Sequence, residues 1–138
     1  MKIKQKVWVA IYKKVDEKVM YLALKPTPGP DYMYDYYVVT GSVEKGESVE
    51  DGAKREVKEE TGLDVKKLIN LKHQLKFDDR RGSNIEYCFG ALVDEGEIIL
   101  NEEHIGYKWM PKDEFIKQLW WFGGDKQVLA KLIDRIDA

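Results

Sequence analysis

Two hydrophobic periodicities alternate along the chain and predict most of its elements. Residues 6–12, Lys-Val-Trp-Val-Ala-Ile-Tyr, form a nearly continuous apolar run of strand length, and Val19 to Leu24 form another. The stretch Val15 to Lys18 between them reads as the turn of a hairpin. Pro26-Thr-Pro-Gly-Pro-Asp31 holds three of the four prolines, each of which removes a backbone donor, so that segment reads as a loop. Tyr36 to Thr40 follows as a short strand. From Ser48 the period becomes helical: Ser48 with Asp51 makes a weak capping box, and Gly62 suits the position after a helix end, which predicts a helix over about Ser48 to Thr61. Segments near Val65 to Phe77 and Ile85 to Val93 read as strands around a loop, Asp78 to Asn84, with a shorter strand near Gly106 to Met110. Pro111 opens a small helix, and Asp125 caps a last one in which Val128, Leu129, Leu132, Ile133 and Ile136 recur at helical spacing.

This order predicts an α/β fold, a mixed sheet covered on its faces by helices. No repeat, linker or low-complexity stretch divides the 138 residues, which read as one domain, 1–138. With 43% hydrophobic and 35% charged residues the chain can bury a core, and disorder is excluded. Its 23 basic and 25 acidic residues leave a net charge of −2, so no global field grips a nucleic acid polymer or an anionic membrane, and any phosphate contact must be local. The single cysteine, Cys88, cannot make an intrachain disulfide, and no apolar run approaches the ~20 residues of a membrane span. A cytoplasmic setting is the expectation.

Chemistry enters on the first helix. At about 100° per residue, Val49, Ala53 and Val57 face inward with Glu56 and Glu60 between or beside them, Glu59 at the edge of that arc, and Asp51, Lys54, Arg55 and Lys58 opposite. Carboxylates so placed repel one another and resist desolvation, and a cation between them removes the conflict. Oxygen ligands point to Mg²⁺, with Mn²⁺ as substitute; one cysteine and two separated histidines argue against zinc. The loop Thr40-Gly-Ser-Val-Glu-Lys-Gly-Glu47 leads into this helix through two glycines, where backbone can approach an ion or phosphate. An ion pair from Arg55 to Glu47 would pin that loop and orient the other carboxylates.

Gly41, five residues, Glu47, seven residues, then Arg55-Glu56-Val57-Lys58-Glu59-Glu60-Thr61-Gly62-Leu63 resembles the Nudix box, here residues 41–63. The resemblance implies an α/β/α sandwich and a metal-dependent hydrolase that cleaves a nucleoside diphosphate linked to another moiety. It implies metal contacts from Gly41, Glu56, Glu59, Glu60 and Glu103, and catalytic roles for Glu47, Arg55, Glu56 and Glu59. The segments Val39 to Glu47, Glu103-His-Ile-Gly-Tyr-Lys-Trp109 and Gly124 to Leu129 resemble the dihydroneopterin triphosphate and dATP pyrophosphohydrolase branch. Asp125 stands where that branch would carry asparagine. The likeness gives Thr40 a substrate contact and assigns the general base to Glu56, with Glu59 and His104 as alternatives. Lys25, ending the second strand, is a candidate phosphate contact.

The implied reaction is hydrolysis of a nucleoside or pterin triphosphate by water with release of pyrophosphate. A dinucleoside polyphosphate hydrolase and a non-catalytic nucleotide sensor are the alternatives. Tyr32, Tyr34 and Tyr36 could stack on a ring, though such tyrosines more often cover a core. Trp120, Trp121 and Phe122 read as core or as a homodimer surface. His73 reads as structural, and Arg80 and Arg81 as solvated.

Overall fold

The computed structural model describes residues 3–29, 36–119 and 126–137. In chain order they form β1 (Lys4–Val15), β2 (Lys18–Pro26), β3 (Val39–Ser42), α1 (Val49–Thr61), β4 (Val65–Asp79), β5 (Gly82–Val93), β6 (His104–Pro111), α2 (Lys112–Gln118) and α3 (Lys126–Asp137).

The continuous apolar run in β1 has a direct cause: the strand is covered on both faces. Val7, Val9 and Ile11 pack with Ala53 and Val57 of α1, while Trp8, Ala10 and Tyr12 pack with Phe115 of α2 and Leu129, Leu132, Ile133 and Ile136 of α3. The fold is therefore the expected α/β sandwich. The sheet runs β4-β5-β1-β2-β6, with β3 also paired to β1. Along one edge β1 pairs in parallel with β5, from Lys4 opposite Asn84 to Tyr12 opposite Leu92. Its other edge is divided: β3 lies antiparallel beside Lys6 to Val9, and β2 beside Tyr12 to Val15. Beyond the β1–β2 hairpin, β2 pairs with β6 on its far side, and Tyr37 bridges back to Leu24. The sheet thus forks, and the fork opens toward the end of α1.

Local departures from the sequence expectations have local reasons. The strand expected at Tyr36 to Thr40 is displaced to Val39–Ser42, because Tyr36 and Tyr37 make only isolated bridges. Pro26, expected in a loop, ends β2 opposite His104, at a register shift where the missing N–H costs no ladder bond. The loop expected from Asp78 to Asn84 shrinks to a turn at Arg80 and Arg81, since β4 and β5 pair as far as Asp79 and Gly82. Asp79 accepts from the Arg81 N–H at 2.8 Å, and Asp78 accepts from the Ser83 hydroxyl at 2.8 Å, which stabilises the tighter turn. The Asp125 cap, Tyr32, Tyr34 and the Trp120 to Phe122 cluster lie outside the described residues. Among those described, no helix is long and apolar enough to cross a membrane.

Candidate active site

Helix α1 is delimited as its sequence dictates. Ser48 Oγ accepts from the Asp51 N–H at 3.0 Å, and Gly62 closes the helix at φ 77°, a left-handed conformation costly for other residues. Between these caps Ala53 and Val57 are fully buried, and they draw Glu56 and Glu60 down with them to 8% and 2% exposure. Glu59, at the edge of the same arc, stays half-exposed.

Arg55 is not on the solvent side where the helical wheel puts it. Its guanidinium folds back over the start of the helix and is half-buried among acceptors. Nε donates to Glu47 Oε2 at 2.8 Å and Nη2 to Glu47 Oε1 at 3.0 Å, a bidentate pair. The same Nη2 donates to the Ser42 carbonyl at 2.9 Å, and Nη1 donates to Glu56 at 2.9 Å and Glu59 at 3.1 Å. One side chain thereby ties the loop, β3 and two helical carboxylates together. The Arg55 hydrogen bond holds the Glu47 carboxyl below its ordinary range. Glu47 in turn accepts from the Glu44 N–H at 3.0 Å, which shapes the loop ahead of α1.

The fork in the sheet supplies the rest. Where β6 joins β2, Thr27 N–H donates to the Glu103 carbonyl at 2.9 Å, fixing the chain that carries Glu103 and His104. Glu103 accepts from the Asn101 amide at 3.2 Å through its side chain, and its N–H donates to Asn101 Oδ1 at 3.0 Å. A ligand oxygen from each of Glu56, Glu60 and Glu103 lies within 4.8 Å of the other two. Beside them a cavity of about 40 Å³ is bounded by Thr40, Tyr37, Val38, Pro26, Glu60, Glu103 and His104. That volume admits an ion or water but no nucleotide.

The electrostatics are those of carboxylates buried together. Burial pushes the Glu60 carboxyl well above its ordinary range, and the neighbouring Glu56, Glu103 and Glu59 push the same way. Glu56 is also raised by burial, against the opposing pull of hydrogen bonds with Glu60 and Arg55. Glu60 Oε2 is buried with no hydrogen-bond partner among the described residues. His104 Nδ1 is likewise unpartnered, 3.7 Å from Glu60 Oε1 and beyond hydrogen-bond reach, and burial lowers its pKa. Three converging carboxylates with an orphaned buried oxygen fit a hard divalent cation.

Gly41 meets this group edge-on. A Cβ built there would lie 2.1 Å from Glu56 Cδ, so the carboxylate occupies the space a side chain would need. Of the other residues singled out by sequence, Thr40 lines the cavity. Glu59 is directed to Arg55 and is not one of the three converging carboxylates. Lys25 is exposed on β2 opposite Gly106 and is not among the cavity residues. Tyr36 packs against the core beneath α2 and α3, and Arg80 and Arg81 are exposed at the hairpin tip. His73 is half-buried on β4. Sequence reasoning missed one buried carboxylate outside this site, Glu86 on β5, whose signal is an acidic residue inside a strand covered on both faces.

Comparison with known proteins adds an independent line. The NUDIX domain family model matches residues 4–132. Dihydroneopterin triphosphate diphosphatase of Escherichia coli is 32% identical over 118 residues, 74% of each chain. The solved structure of the E. coli dihydroneopterin triphosphate pyrophosphohydrolase superposes with a TM-score of 0.71 and 28% identity, covering 97% of this chain and 96% of that one. The asymmetrical bis(5'-nucleosyl)-tetraphosphatase of Rattus norvegicus is 31% identical over 107 residues, 73% of this chain and 71% of its own. A Caenorhabditis elegans Ap4A hydrolase in a binary complex shares the fold at a TM-score of 0.76 with 20% identity, covering 97% and 95%.

Proposed function

The chain belongs to the NUDIX family of hydrolases, which act on nucleoside diphosphate derivatives, and from that premise we propose that it is a Mg²⁺-dependent pyrophosphohydrolase of nucleoside or pterin triphosphates. Mn²⁺ is the expected substitute ion. The observation that carries this is the convergence of Glu56, Glu60 and Glu103 around the unpartnered Glu60 oxygen.

Glu56, Glu60 and Glu103, with Glu59 and the Gly41 backbone in support, would hold Mg²⁺, which when bound would supply charge neutralisation for phosphate oxygens and acidify a nearby water. The protein's own groups do the remaining work. Arg55 holds Glu56 by the 2.9 Å hydrogen bond and takes its own orientation from Glu47. Glu56 accepts the proton of the attacking water, which makes it the general base. Glu59, half-exposed, and His104, whose pKa burial lowers, are the alternative bases. Thr40, on the cavity wall, is positioned to meet substrate, and Lys25 offers a charge for the distal phosphate. Water is the nucleophile, not a side chain: burial pushes the one thiol, Cys88, far up, so it carries no thiolate to attack with.

The test is a panel of triphosphates with Mg²⁺, read by chromatography of the products and by ¹⁸O from labelled water. Pyrophosphate with a monophosphate is the expected pair, and Glu60→Gln should abolish it together with Mg²⁺ affinity. The sequence similarity to the rat tetraphosphatase favours a second reading, hydrolysis of dinucleoside polyphosphates. That reading predicts ATP plus AMP from diadenosine tetraphosphate. Nucleotide binding without turnover would instead make the chain a sensor and refute both.

A further inference from the structure

Of the three converging carboxylates, two are held by α1 itself. Glu60 is buried, and Glu56 is buried and accepts from Arg55 Nη1 at 2.9 Å. Glu103 has neither support: it is exposed and off the helix, and its long side chain is free to turn elsewhere unless something holds it. The backbone beneath it is fixed first. The Asn101 carbonyl accepts from the His104 N–H at 3.3 Å, closing a tight turn with Glu102 and Glu103 at its centre. That turn is pinned from the end of β2, where the Thr27 N–H donates to the Glu103 carbonyl at 2.9 Å and the Thr27 hydroxyl to the Glu102 carbonyl at 2.6 Å. With both carbonyls tied to Thr27, what remains to be set is the direction of the Glu103 carboxylate.

The Asn101 side chain sets it. Asn101 Oδ1 accepts from the Glu103 N–H at 3.0 Å, which fixes the sense of the amide, because a flip would set its NH₂ against that N–H and its oxygen against a carboxylate. In this sense Nδ2 faces the Glu103 carboxylate and donates to Oε2 at 3.2 Å, the one side-chain donor to that carboxylate among the described residues. We infer that Asn101 is a positioning residue of the metal site: its amide aims Glu103 at Glu56 and Glu60, so that the third ligand stands in place before a cation arrives. This rests on the reading of the three carboxylates as a divalent-cation site. The arrangement suits that task chemically. A carboxylate has lone pairs enough to accept from an amide and to give to an ion at once, and a neutral donor orients it without adding positive charge beside the cation.

Calorimetric titration with Mn²⁺, in the absence of nucleotide, tests this on the wild type, Asn101→Ala, Asn101→Ser, Glu103→Ala and the Asn101→Ala, Glu103→Ala double variant. Asn101→Ala should weaken Mn²⁺ binding roughly 10- to 100-fold. Asn101→Ser keeps an acceptor for the Glu103 N–H but has no second atom for the carboxylate, so it should melt as the wild type does and still bind Mn²⁺ as weakly as Asn101→Ala. On the Glu103→Ala background the Asn101 substitution should cost nothing further, since no carboxylate is left to aim. Wild-type Mn²⁺ affinity in Asn101→Ala overturns the inference, as does a loss of equal size with and without the Glu103 carboxylate. Weak binding in Asn101→Ala that Asn101→Ser restores marks a residue that only forms the turn, and overturns it too. The underlying reading fails in a different way: if Glu103→Ala binds Mn²⁺ as the wild type does, Glu103 is no ligand and the inference falls with it. Weakened Glu103→Ala beside intact Asn101 variants refutes the inference alone.

Discussion

Gly41→Ala isolates one contact. The positive-φ glycines are Gly46, Gly62 and Gly82, so among the described residues Gly41 is not held in a conformation that alanine resists. What the added methyl meets is the Glu56 carboxyl group, with Cδ at 2.1 Å and the oxygens at 2.4 and 2.5 Å. Ordinary carbon contacts lie near 3.5 Å or beyond, so the carboxylate must retreat by more than about 1 Å. Retreat separates Glu56 from Arg55 Nη1, now 2.9 Å away, and from Glu60 and Glu103. A misplacement of about 1 Å typically costs about 10² in rate, and overpacking costs about 1–3 kcal/mol of stability. Gly41→Ala should therefore lose about a hundredfold in kcat, lose Mg²⁺ affinity by calorimetry, and melt several degrees lower. The double-mutant cycle with Glu56→Ala is decisive, because with the carboxylate gone the methyl has room and the stability loss should vanish. An equal loss on both backgrounds, or unchanged kcat in Gly41→Ala, would refute the steric account.

Other substitutions separate positioning from chemistry. Arg55→Lys keeps the charge but not the fork that holds Glu47, Glu56, Glu59 and the Ser42 carbonyl; kcat should fall about 10- to 100-fold with little change in KM, whereas a pure KM effect would make Arg55 a substrate ligand. Glu86, pushed by burial from an ordinary 4.5 to about 7 against the opposing charge of Lys6, is held protonated more tightly folded than unfolded. Its destabilisation therefore begins as pH rises past about 4.5 and is complete above about 7, at about 3 kcal/mol, so the wild-type melting temperature should fall more steeply across that window than that of Glu86→Gln. Parallel pH curves for the two proteins would show that Glu86 is not strained. Ser48→Ala removes the cap on the Asp51 N–H and should cost about 1 kcal/mol in thermal unfolding while kcat is retained.

The helix and its caps were legible because their signals are local: Ser48, Asp51 and Gly62 are read within one turn of where they act. Arg55 was legible as the partner of Glu47 but not as a half-buried residue. A wheel knows only the helix, and the acceptors that turn this side chain inward come from the loop and from β3. Glu103 is harder still. It lies over forty residues from α1 and joins Glu60 through the pairing of β2 with β6, so only its resemblance to a known motif marked it beforehand. The shrinkage of the β4–β5 loop was hidden because Asp, Arg, Ser and Asn suit a long loop and a tight turn alike. Glu86 escaped because alternation would place a lone acidic residue on a solvent face, and β5 has none over its central stretch.

The divided edge of β1 also bears on the order in which the molecule is built. This strand is near the amino end, yet its parallel neighbour β5 ends at Val93, so during synthesis β1 waits with one edge bare for more than seventy residues. Contacts so distant in sequence slow folding, and unpaired strand edges invite wrong partners in the interval. The third carboxylate comes later still, since Glu103 is carried in with β6. A ribosome that has delivered α1 has released two acids of the cluster and lacks the third. The acidic cluster therefore belongs to the finished sheet and cannot template its beginning.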